Sequence, residues 1–180
     1  MGNSADSTSP PTAASELAVI EQQPGSPWVD PHLRPFFESW LDTFIYNGRL
    51  DPQLREFTIL RVMWRCGQAF EWGNHYRFAR KSGITRDEVL AIRTSDPRRD
   101  LEGAVATVVC AADEIVDVGH LSEAVMVELR DLFPDPGLLD EFLYLVAGYR
   151  MFAAISASKR DGYGGSHAPW PPDGVAPTES

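Results

Sequence analysis

Apolar residues recur three and four positions apart along most of the chain, and no segment sustains the alternation of a half-buried strand. The pattern breaks at Asn47-Gly48, Gly67, Gly83, Asp96-Pro97, Gly119 and Pro134 to Gly137, residue types that punctuate helices. The spacing between breaks predicts about seven helices, over 31–47, 52–66, 69–82, 86–93, 100–118, 122–133 and 137–158. Thr85 followed by Glu88 is a capping box for the fourth, and Ser122 is placed to cap the sixth. The fold class is therefore all-α, a bundle of helices. The short link Gly67-Gln68 turns the second and third helices into an antiparallel hairpin.

The ends of the chain lack this periodicity. Residues 1–27 are dominated by Ser, Pro, Ala, Thr and Gly without Lys or Arg, so a disordered leader is expected there. It has neither the basic start of a secretory signal nor, with Asp6 in place, the Ser or Thr that myristoylation requires. Gly, Pro and Ser return near the end, and 164–180 is expected to be a flexible tail with Trp170 as its only bulky anchor. One domain over 28–163 remains, in keeping with a length of 180 residues. At 43% hydrophobic content the chain can build a core but has no apolar run near membrane-spanning length. Its 26 acidic and 16 basic residues give a net charge of −10, which repels nucleic acid and anionic lipid alike. A cytoplasmic protein with neither membrane nor nucleic acid as partner is expected, and its two cysteines, Cys66 and Cys110, read as reduced thiols.

Charges on a bundle helix should fall on its wet face, so placing each at about 100° per residue exposes violations. On the second helix, Leu60, Met63 and Gly67 lie within about 40° of Glu56, whereas Thr58, Arg61 and Arg65 fall on the far side. Glu56 is thus expected to face the core. On the third helix His75 shares its face with Glu71, Ala79, Trp72 and Phe78, opposite Arg77, Arg80 and Lys81. The hairpin lets Glu56, Glu71 and His75 share one pocket, where buried acids and an imidazole could move protons near neutral pH. The same spacing also fits a purely structural tie between Glu56 and His75. On the last helix Arg150 falls on the stripe of Leu139, Leu143, Val146 and Ala154, as an internal partner of Asp113 or as a clamp for an anionic substrate. Met63, Trp64, Phe70 and Trp72 around the pocket indicate an apolar or aromatic ligand. His32 and His120 lack partners at metal-ligand spacing, so no metal is assigned.

The stretch Arg55-Glu56-Phe57-Thr58-Ile59-Leu60-Arg61-Val62, then Phe70-Glu71-Trp72-Gly73-Asn74-His75 and Ala79 to Gly83, resembles the carboxymuconolactone decarboxylase and alkylhydroperoxidase D-like family. Ala111-Ala112-Asp113-Glu114-Ile115 and Val146-Ala147-Gly148-Tyr149-Arg150-Met151 are similar to its decarboxylase-like members. The resemblance implies an alkylhydroperoxidase D-like bundle around the hairpin and a homo-oligomer: a dimer, trimer or hexamer. In the thiol branch a glutamate and a histidine, matched here by Glu56 and His75, relay protons to a Cys-x-x-Cys pair. Gln68 and Glu71 fill those cysteine positions, and neither can form a disulfide or a sulfenic acid.

What remains is acid and base without a thiol. The resemblance then implies a cofactor-independent lyase or isomerase acting on a small apolar or lactone-type carboxylate. Glu56, Glu71 and His75 would be catalytic, and Arg150, Trp72 and Met63 would bind substrate. The alternatives are an alkylhydroperoxidase-like oxidoreductase, disfavoured by the missing thiols, and a non-catalytic assembly protein on the same scaffold.

Overall fold

The computed structural model describes residues 29–159 and 170–178; the leader expected over 1–27 lies outside them. Eight α-helices and no strand are found among the described residues. They are α1 (Arg34–Leu41), prolonged by one π-helical turn (Asp42–Tyr46), α2 (Pro52–Arg65), α3 (Ala69–Lys81), α4 (Arg86–Ala91), α5 (Pro97–Asp100), α6 (Gly103–Asp117), α7 (Glu123–Leu132) and α8 (Pro136–Lys159). The all-α expectation holds, with one division the periodicity did not resolve. Leu101 and Glu102 are extended and Gly103 takes φ +54, so the fifth predicted helix splits into α5 and α6.

Local chemistry sets the boundaries. Asp51 accepts from the backbone N–H of Gln53 and Leu54 ahead of Pro52, starting α2. Gly67, at φ +65, ends it in the left-handed conformation that glycine reaches without a Cβ clash. The capping box at Thr85 and Glu88 and the Ser122 cap on Val125 N–H both form.

The centre of the bundle is α2, which packs on α3, α6 and α8. Residues 56–63 are buried without a break, so α2 has no wet face in its middle. The expectation that Thr58 and Arg61 point to solvent is therefore corrected. Thr58 satisfies its hydroxyl on the Leu54 carbonyl at 2.7 Å. Arg61, 1% exposed, donates from Nε and Nη2 to the two Asp113 oxygens, each at 2.6 Å, and from Nη1 to the Ile92 and Thr94 carbonyls at 2.6 and 2.8 Å. A guanidinium can be buried when its fork is matched in this way.

The tail expectation is also corrected over 170–178. Trp170 is buried against Trp64 and Trp72, with ring centroids 5.6 and 5.9 Å apart. The Pro171 carbonyl accepts from Trp72 Nε1 at 2.6 Å and from Arg93 Nη2 at 3.0 Å, and Asp173 pairs with Arg93 at 2.8 Å. Arg93 also lies over the Trp64 and Trp72 rings, so a cation–π stack reinforces the anchor. No helix among the described residues is long and apolar enough to cross a membrane.

Candidate active site

The hairpin brings the two inward-facing groups into contact. Glu56 on α2 and His75 on α3 are 0% and 3% exposed, and Glu56 Oε2 lies 2.7 Å from His75 Nδ1. Because a carboxylate only accepts, the proton on this bond belongs to Nδ1. The other carboxylate oxygen, Oε1, accepts from Arg55 Nε at 2.9 Å, and Arg55 Nη1 donates to the Ile45 carbonyl at 3.0 Å. On the far side of the imidazole, Nε2 lies 2.7 Å from the hydroxyl of Tyr149 on α8. A neutral imidazole therefore accepts there from the phenol; a protonated one would donate to it. The result is a continuous line, Arg55–Glu56–His75–Tyr149, across three helices.

The phenol is held in place by packing. Its ring meets His75 and Trp40 edge-on, with centroids 5.0 and 5.3 Å apart. Trp40 in turn rests on the backbone of Gly148, where an added Cβ would stand 2.4 Å from the indole. Burial, and then the charges of Glu71 and Glu56, push the Tyr149 pKa well above that of an ordinary phenol. The hydroxyl therefore stays protonated as a donor. Glu71 lies on the turn before His75 and, like Arg55, is of intermediate exposure. Burial raises its pKa, against the pull of the His75 charge and of a long 3.5 Å bond from Asn74. Glu71 thus holds its proton to higher pH than a free glutamate does.

The other expected site residues lie elsewhere. Met63 is fully buried in the core, and Trp72, also 0% exposed, commits its indole N–H to Pro171. Arg150 is exposed and does not pair with Asp113, whose oxygens are taken by Arg61, with Arg65 Nε at 3.8 Å. The pairing of Arg150 with Asp113 is thus corrected: the buried face of α8 runs through Phe142, Leu145, Val146, Tyr149 and Ala153, and Arg150 lies outside it. That helix is apolar on nearly every side, so its sequence does not select which face turns inward. The same ambiguity hid Tyr149. A tyrosine beside a glycine on a core helix, with a hydroxyl that needs a partner, was the available signal. Arg55 went unnoticed because it flanks rather than shares the inward stripe.

Both thiols, Cys66 and Cys110, are free and have pKa values raised by burial. Among the described residues no group of three or more His, Cys, Asp or Glu side chains is placed to hold a metal ion, and His32 and His120 are exposed.

No curated protein and no solved structure matches the chain. Residues 31–114 match the model of the carboxymuconolactone decarboxylase family. This segment contains the α2/α3 hairpin with Arg55, Glu56, Glu71 and His75, and leaves Tyr149 outside it. Over that segment the chain is similar to the carboxymuconolactone decarboxylase family.

Proposed function

We propose that this protein is a cofactor-independent acid–base enzyme of the lyase or isomerase type, acting on a small apolar or lactone-type carboxylate. The observation that carries the reading is the line from the partly exposed Arg55 through the buried Glu56 and His75 to the buried Tyr149. Arg55 balances the charge of Glu56, and Glu56 accepts from His75 Nδ1 and fixes the ring's orientation. The Tyr149 hydroxyl donates to Nε2 of the neutral ring, so the line fixes the tautomer and orientation of the imidazole, whose electrostatic neighbour is Glu71. Glu71, whose charge acts on both His75 and Tyr149, is the member this reading assigns to the substrate.

In a decarboxylation the carboxylate of the substrate leaves as carbon dioxide and its bonding electron pair enters the adjoining unsaturated system. The carbon is then protonated by Glu71, which takes its next proton from solvent. A raised pKa at Glu71 also lessens its repulsion of an anionic substrate, a service that the distant Arg150 does not provide. Tuned proton transfer of this kind contributes about 10²- to 10⁴-fold in rate. The reading includes a homo-oligomer, for which Leu33 and Phe36 of α1 and Tyr144 of α8 offer exposed apolar surface. Thiol peroxidation is less well supported, since burial keeps both cysteines from the reactive thiolate form.

The test is incubation of the full chain with unsaturated γ-lactone carboxylates, following carbon dioxide release. His75→Gln and Glu71→Gln should keep the helical circular dichroism spectrum and lose about 10²-fold or more in turnover. Undiminished turnover in His75→Gln, or loss only in Cys66→Ser, overturns the reading.

A further inference from the structure

A hollow of about 600 Å³ lies away from the relay, where the end of α2, the second half of α6 and the second half of α8 meet. Cys66, Ile115 and Val116 form one side, and Ala147, Arg150 and Met151 are among the α8 residues opposite. No residue of the relay lines it. The space exists because α8 presents small side chains here, with Ala153, Ala154 and Ala157 continuing the wall. Its size falls within the range of small-molecule pockets, which are mostly apolar with a few placed polar groups.

Arg150 supplies the only charge among the lining residues. Like Arg34, Arg77, Arg80 and Arg86, it has no ion pair among the described residues. The acids of the neighbouring α6 turns are already engaged: Asp113 holds Arg61, and Asp117 holds Arg65 at 2.6 Å. The Arg150 charge acts on Cys66, but burial outweighs it and keeps that thiol neutral. The hollow therefore joins an apolar wall to an unmatched guanidinium, whose paired donors suit a carboxylate.

We propose that this hollow is a binding site for a small amphiphilic carboxylate, its acid group on Arg150 and its hydrocarbon body against the alanines of α8. The site is distinct from the relay. The two share α2, whose far end carries Cys66, and α8, where Tyr149 is buried and its sequence neighbour Arg150 is exposed.

Decanoate serves as probe, and Cys66 as reporter. Saturating decanoate should slow the alkylation of Cys66 by N-ethylmaleimide about fivefold or more, located by peptide mass spectrometry, and leave Cys110 unchanged. Decanol, with the same tail and no charge, should bind about tenfold more weakly, as expected for one lost charged hydrogen-bonded contact. Arg150→Gln should abolish the preference for decanoate over decanol, and Ala154→Leu, which fills the hollow, should weaken both. Equal affinity for acid and alcohol, no saturable protection, or protection unaffected by Arg150→Gln each overturns the proposal. So does a native assembly in which Cys66 is shielded without any ligand and becomes reactive when Arg150→Gln dissociates the subunits, since the face would then be an interface between copies of this chain.

Discussion

Tyr149→Phe removes a single oxygen from the centre of the relay and tests whether the line of hydrogen bonds exists in solution. The ring is 3% exposed and wedged between His75 and Trp40, so the phenylalanine ring keeps its place and opens little space. What changes is His75 Nε2, whose partner at 2.7 Å is the lost hydroxyl. An imidazole nitrogen left unsatisfied at 3% exposure should cost about 1–3 kcal/mol. With a urea m-value of about 1–3 kcal/mol/M, the unfolding midpoint should fall by roughly 1 M at unchanged m. Combining Tyr149→Phe with His75→Phe isolates the bond from the general effects of each change, and the two substitutions should be coupled by about 1 kcal/mol or more. A shift within about 0.5 kcal/mol of zero, the range of neutral surface changes, or additive effects in the double variant, would refute the relay.

Three further outcomes follow from the same packing. Asp113→Ala strands the buried Arg61 and should destabilise by about 3–5 kcal/mol, whereas Arg61→Met with Asp113→Leu should recover most of that loss; denaturant titration of the pair and the singles decides it. Gly148→Ala sets a Cβ 2.4 Å from the Trp40 ring, and overpacking of this kind should lower stability by about 1–3 kcal/mol in spite of alanine's better helix propensity; a rise in thermal midpoint would contradict it. The pKa of Glu71 is raised in the folded protein, so its contribution to stability is fully present below the ordinary glutamate range and is lost as pH rises through the higher folded value. Glu71→Gln should therefore flatten that decline with pH, and an unchanged pH profile of unfolding free energy would show the carboxyl to be solvated.

Much of this architecture is local information. Glycines and prolines mark where helices stop, side-chain caps such as Asp51, Thr85 and Ser122 mark where they start, and three-and-four spacing identifies the segments between. The inward direction of Glu56 and of His75 was likewise legible, because each shares a stripe with apolar neighbours on a helix whose other face carries basic residues. The Gly67-Gln68 link was short enough to put the two stripes together. Failure began where helices ceased to be amphipathic. On α2 the side opposite Glu56 reads as wet from its arginines, yet α6 covers it and supplies Asp113 to Arg61. On α8 apolar residues surround the axis, and the choice between Tyr149 and Arg150 as the inward group fell to the fit of Gly148 against Trp40.

The sequence by itself therefore determined the helices, their ends and the meeting of one acid with one imidazole across a hairpin. Only the tertiary structure decided which face of an all-round apolar helix turns inward, and with it the phenol that completes the relay and the arginine left at the surface. The physical reason is that local pattern records the contrast between water and core. A helix enclosed by its neighbours, or apolar on every side, has no such contrast, and its orientation is set by packing against residues distant in the chain.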